Sequence, residues 1–313
     1  MAASPTPAPR PQFVEATTNR SKRIQQWLAA NICFLCAIIG IATTVGIVVI
    51  LVKESIPFFR KVPMWQFLTG TEWTPMFANP QFGVLPLVTG TLLITVGAAI
   101  IAIPLGVLTA VYLADYAHPR VRQVVKPALE LLAGIPTVVY GYLGIFLVTP
   151  ILQRIFGAEN VAPYNAAAGA IVVGIMILPL VSSLCEDAIS SVPKSLRDAA
   201  LGLGCTKMET VWKIVLPSAL SGIMAAFILA ISRAIGETMA VTLAAGATPN
   251  LTANPFESVQ TMTAYIVTVS KGDAAVGTTA YNTIYAVGIT LFAITLVMNI
   301  LAIRLVKRFR QAY

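Results

Sequence analysis

The chain has 313 residues, 57% of them hydrophobic and only 11% charged, where a soluble domain carries about 25% charged residues. That balance excludes a soluble globular enzyme and predicts an all-α polytopic membrane protein. The net charge of +8 comes in short clusters between apolar runs, not as one basic patch, which excludes a nucleic-acid partner and leaves membrane lipid as the surroundings.

Residues 1–27, rich in Pro, Ala, Thr and Arg, read as a disordered tail. The uncharged run 28–52 is too long for the roughly 7–15-residue core of a signal peptide and reads as a first transmembrane helix. Residues 53–83 form a loop carrying Phe58, Phe59, Trp65, Phe67, Trp73, Phe77 and Phe82, rings expected to anchor at the headgroup level. Residues 84–303 hold five more spans, near 84–113, 128–152, 166–184, 218–248 and 281–303. Each meets the ~20 residues that a ~30 Å hydrocarbon core requires. Residues 304–313 form a short basic tail. With the N-terminal tail inside, the inner segments carry fifteen Lys and Arg against five outside, and Arg233 is the twenty-first. The bias places both termini in the cytoplasm and makes 53–83 an outer loop. The single His118 lies in a short polar loop, and the Cys33-x-x-Cys36 pair lies in an apolar helix where a thiolate is poorly solvated. Neither points to a metal or a redox centre, and no cofactor or catalytic residue is expected.

The longest inner segment, 185–217, contains "SSVPKSLRDAALGLGCTKMETVWKIVLP". Ser195 and Asp198 stand at S-x-x-D, near the capping-box spacing, and Thr206 and Glu209 at T-x-x-E. Leu196, Ala199, Ala200 and Leu203 recur at helical spacing, as do Met208, Val211, Trp212 and Val215. Gly202 and Gly204 close the first helix. The prediction is two short amphipathic helices at an angle, with one surface free to seat in a partner's groove.

At this point the sequence resembles a known family. Asp198, Ala199, Ala200, Gly204, Ile214, Leu216 and Pro217 fall on the spacings of the EAA loop of ABC-importer permeases, with Asp198 where Glu is usual. The resemblance implies that the first helix couples to a cytoplasmic ATPase. "ELLAGIPTVVYGYLG" (130–144) and "SRAIGETMAV" (232–241) resemble phosphate-transport permeases of the PstC type. That likeness implies an ABC type I importer fold in a bacterial inner membrane, where the outer loop 53–83 would be periplasmic. The implied partners are a homologous PstA-type permease, two ATP-binding subunits and a periplasmic phosphate-binding protein. The chain has no Gly-Lys dipeptide, hence no Walker A loop of its own, so ATP hydrolysis is expected on a separate subunit.

Arg233 and Glu237 are the only charges between Pro217 and Pro249. Arg233 lies about 22 Å along the fifth span, near the midplane. The four-residue spacing puts the two side chains on one helix face and within pairing reach, with Ser232 and Thr238 beside them. They either neutralise one another at a helix contact, or Arg233 faces a water-filled path. In the second reading Arg233, held by Glu237 and flanked by Ser232 and Thr238, meets a tetrahedral oxyanion, which the planar guanidinium suits. The implied cargo is phosphate, with sulfate, molybdate or phosphonate as alternatives. An ion-driven secondary carrier is a further alternative. Such carriers are marked by internal repeats and broken helices, and the sequence shows neither.

Overall fold

The computed structural model describes residues 20–275 and 277–309, and among them no strand longer than a single bridge occurs. Six segments are long and apolar enough to cross a membrane: Ile24–Phe59, Leu85–Tyr116, Thr137–Phe156, Ala166–Ser190, Lys207–Ile235 and Thr279–Arg304. The chain divides into two units, up to Ile50 and from Leu51 on.

The first unit is the larger part of helix α1, Arg20–Phe59. Thr43 and Thr44 donate to the carbonyls of Ile39 (2.8 Å) and Gly40 (2.9 Å), so these two hydroxyls are satisfied within the helix. The helix begins at Arg20, so residues 20–27, expected in the disordered tail, are helical instead; residues 1–19 lie outside the described part.

The second unit contains the core. Helices α3 (Leu85–Val111) and α7 (Ala166–Ser190) pack closely because small residues meet large ones. A Cβ on Gly106 would lie 2.6 Å from the Val181 side chain, so only glycine permits this separation. α3 passes into a π-helical turn at Tyr112–Tyr116, and α7 buries Val173, Ile177 and Val181 completely.

The expected third span, 128–152, is two pieces. α4 (Pro119–Ala133) is amphipathic and ends before Gly134-Ile135-Pro136. α5 (Thr137–Leu143) then runs through a wide turn at Gly144–Val148 into α6 (Thr149–Phe156). The break has a local cause: a residue before proline is driven out of the helical region. The Tyr140 hydroxyl donates to the Leu132 carbonyl at 3.0 Å and ties the two pieces together.

The outer loop also departs from expectation. Phe58, Phe67 and Trp73 are at most 2% exposed, and Phe82 is 9% exposed, so these rings are not headgroup anchors. With Tyr265 of α12 (Met262–Thr268) they form an edge-to-face cluster. A single antiparallel bridge, Trp73 to Phe82, and the short helix α2 (Met64–Thr69) hold the loop on it. Burying several large rings stabilises the fold more than leaving them at a lipid boundary. Trp65 and Phe77 remain exposed. The last helix, α13, runs Thr279–Phe309, through most of the stretch expected as a C-terminal tail.

Candidate functional site

The fifth span is interrupted where the charges sit. α10 (Leu216–Ile235) ends at Gly236, and α11 (Met239–Ala244) begins after Thr238, whose φ of −120° and ψ of −61° are not helical. The Arg233–Glu237 pair expected of a continuous helix does not form. The helix ends between the two residues, and the Glu237 carboxylate turns instead to accept from the Ala240 amide at 3.2 Å. Glu237 is buried, and its backbone carbonyl accepts from the Thr263 hydroxyl at 2.7 Å. Arg233 is exposed, and among the described residues no carboxylate lies within ion-pair distance of it. Thr238 donates to the Gly236 carbonyl at 3.2 Å, at the break itself. Ser232 points elsewhere: its hydroxyl donates to Asn299 Oδ1 of α13 at 2.9 Å. The structure thus brings Glu237 and Thr238 together at the break, leaves the Arg233 guanidinium open, and sends Ser232 to a different neighbour. α5 closes on α11 here, where a Cβ on Gly141 would meet the Leu243 side chain at 2.8 Å.

The 185–217 segment forms the predicted pair of short helices, α8 (Lys194–Gly202) and α9 (Lys207–Thr210). The Thr206–Glu209 capping box is complete in both directions. The Ser195–Asp198 box is absent. The cap position of α8 is Pro193, which supplies no side-chain bond, and Ser195 lies inside the helix. Gly204 takes φ +86°, the left-handed conformation that stops α8 from running on. α9 enters α10 through a π-helical turn at Val211–Val215, with Leu216 and Pro217 in the first turn of α10. Ala200, Val211 and Val215 are buried, and Ile214 and Leu216 half-buried. Asp198, Ala199 and Gly204 face outward. So do Leu203 at 87%, Met208 at 64% and Trp212 at 54% exposure, which leaves the loop with open apolar surface.

One ion pair fixes α8 to the bundle and a second cluster ties α4 to the end of α7, and the sequence reading missed both. Arg197 of α8 bonds the Asp115 carboxylate, and its second nitrogen donates to the Ile189 carbonyl at 2.7 Å. Glu186 near the end of α7 is fully buried. It accepts from Arg122, from Lys126 at 2.6 Å and from Ser190 at 2.8 Å, while Lys126 also bonds Asp187. Burial pulls the Lys126 ammonium below the usual lysine value, but the bonds to Asp187 and Glu186 outweigh it and the net shift is upward. Arg122 and Lys126 at i, i+4 on α4 were the available signal for the second cluster. The Asp115–Arg197 pair spans 82 residues of sequence and left none.

A family described as "Binding-protein-dependent transport system inner membrane component" matches residues 102–311. A probable ABC transporter permease protein, YqgH of Bacillus subtilis (strain 168), is 34% identical over 293 residues, covering 93% of each chain. A phosphate transport system permease protein, PstC of Mesorhizobium japonicum, is 32% identical over 255 residues, covering 76% of this chain and 77% of its own. Among solved structures, a chain of the bacterial alginate ABC transporter with its pentasaccharide-bound periplasmic protein aligns with a TM-score of 0.60 at 18% identity, over 90% of this chain and 97% of that one. A chain of the inward-facing MetNI methionine ABC transporter aligns with a TM-score of 0.54 at 19% identity, over 73% and 95%. At those identities the shared feature is the fold.

Proposed function

The chain belongs to the binding-protein-dependent transport system inner membrane component family and is a permease subunit of an ABC-type importer; from that premise we propose that its cargo is inorganic phosphate, moved inward by alternating access. The similarity to phosphate transport system permeases in several organisms supports the cargo. The observation that carries the reading is the open guanidinium of Arg233, without a carboxylate partner among the described residues, beside a helix break inside the fifth span. A cation left without a protein partner at that depth is stabilised by water or by an anion, and the guanidinium fork fits two oxygens of a tetrahedral anion. Glu237, buried and capping α11, holds the break open and lowers the local positive potential, so that the anion leaves as readily as it enters. Thr238 adds a hydroxyl at the break, and Ser232 supports the site from behind through Asn299.

The importer combines permease, ATPase and external binding protein. In the reading proposed here these are a PstA-type second permease, two ATP-binding subunits on the cytoplasmic side and a periplasmic phosphate-binding protein. Asp198, Ala199, Ala200, Gly204, Ile214, Leu216 and Pro217 build the coupling loop, whose open Leu203, Met208 and Trp212 seat in the ATPase. No bond is made or broken in this chain. The test is uptake by vesicles rebuilt with the full complex. ATP-dependent accumulation of phosphate is expected, and accumulation of sulfate, molybdate or a phosphonate without phosphate would overturn the assignment.

A further inference from the structure

Behind α8 lies a cleft of about 360 Å³, apart from the break in the fifth span. It opens between the π-helical end of α3, the start of α4 and the two short helices of the loop. Its charged lining is Arg122, Lys194, Arg197 and Lys207 against Asp115 and Asp198. The two arginines are already engaged, Arg122 by Glu186 and Arg197 by Asp115. The two lysines are not. Both are exposed, and among the described residues neither has a carboxylate within ion-pair distance. Lys207 rests over the Tyr116 ring, 5.1 Å from its centre. Lys194 is the first residue of α8 and Lys207 the first of α9. The start of α8 has no side-chain cap, so its first amides add positive potential on the same side.

We propose that this cleft binds a phosphate group, clamped between Lys194 and Lys207. The chemistry is that of a point-charge phosphate site: two ammonium groups and the uncapped first amides of α8, with the carboxylates of Asp115 and Asp198 on the same wall to weaken the hold. Pockets of this size hold small ligands with most of their surface covered. One anion shared by the first residues of α8 and α9 fixes the angle between them, and that angle is what the loop passes to the ATPase. Occupancy therefore slows the cycle. The source is either phosphate accumulating on the loop's side of the membrane or the headgroup of an anionic lipid, which basic pockets at helix ends also hold. The regulatory meaning rests on the phosphate-permease reading; the site itself rests only on the lining.

The whole complex is rebuilt in phosphatidylcholine vesicles, with and without phosphatidylglycerol, and ADP production is followed while inorganic phosphate is added on the loop side. The parent is compared with Lys194→Gln/Lys207→Gln and Lys194→Arg/Lys207→Arg. Added phosphate is expected to slow the parent and the Arg variant several-fold and to leave the Gln variant unaffected. Product inhibition within the ATPase itself would strike all three alike. If the headgroup is the occupant, phosphatidylglycerol changes the parent and Arg rates but not the Gln rate, and added phosphate does nothing. Equal responses of all three chains to both additions would overturn the site. Phosphate uptake by the parent separately judges the cargo, so the two ideas fail independently.

Discussion

Arg233 carries an open charge inside the fifth span and has no carboxylate partner among the described residues. Arg233→Gln keeps the length and the polarity and removes the charge. Uptake of phosphate should fall by about ten- to a hundredfold, from the roughly 1.5–3 kcal/mol of hydrogen bonds to a charged group. Co-purification with the ATPase should be unchanged; equal uptake in vesicles would reject the role. Glu186 is a structural counterpart, with three donors on a fully buried carboxylate. Glu186→Gln leaves Arg122 without an anion and Lys126 with Asp187 alone, but Arg122 is 40% and Lys126 25% exposed, so water takes up part of the loss. A destabilisation of about 1–3 kcal/mol follows, read as a lowered unfolding midpoint in detergent. The sequence located Arg233 and Glu237 as isolated charges in an apolar run, and both lie where the fifth span breaks. It misjudged their relation, because a four-residue spacing implies contact only while the helix continues, and Gly236 ends it.

The two-helix loop is the element whose form was most legible in the sequence. Capping chemistry is local, so Thr206–Glu209 could be read from two letters, and Gly204 from the need for a left-handed residue. The proposed Ser195 cap failed because Pro193 already fixes the start of α8. No other atom lies near a Cβ built on Gly204. Gly204→Ala and Gly204→Trp should therefore cost the same backbone strain, about 1–2 kcal/mol. They should differ in coupling: the Trp variant is expected to hydrolyse more ATP per phosphate moved, and identical ratios would remove Gly204 from the contact with the motor. Leu203→Asp, on the open apolar surface, should weaken ATPase retention on a column without changing the amount of permease in the membrane. Both broken spans were missed for the same reason. A hydrophobic run shows that a segment is long enough to cross, but Gly-Ile-Pro at 134–136 and Gly-Glu-Thr at 236–238 change its course without changing its polarity much.

At the scale of the molecule, six apolar segments and an all-α fold were legible because bilayer thickness dictates length. Pairings such as the Trp73–Tyr265 ring contact join segments far apart in sequence, and no periodicity encodes them. Helical breaks, which mark many secondary carriers, also occur here in a binding-protein-dependent permease, so they do not separate the two classes. The orientation deduced from Lys and Arg has a direct check. A membrane-impermeant maleimide should label Thr71→Cys in intact spheroplasts and Ser195→Cys only after the membrane is opened. Reversed labelling would invert the topology.

The gap at Gly236–Thr238 carries a biological consequence for the isolated polypeptide. Hydrocarbon tolerates irregular main chain only where protein or water shields it, and Gly236 is uncovered in the single chain. A copy made without a companion subunit would expose that flaw to acyl chains and become a target for quality-control proteolysis. Pulse–chase labelling should accordingly find a shorter lifetime for the orphan than for the assembled protein, making stoichiometry self-correcting after synthesis.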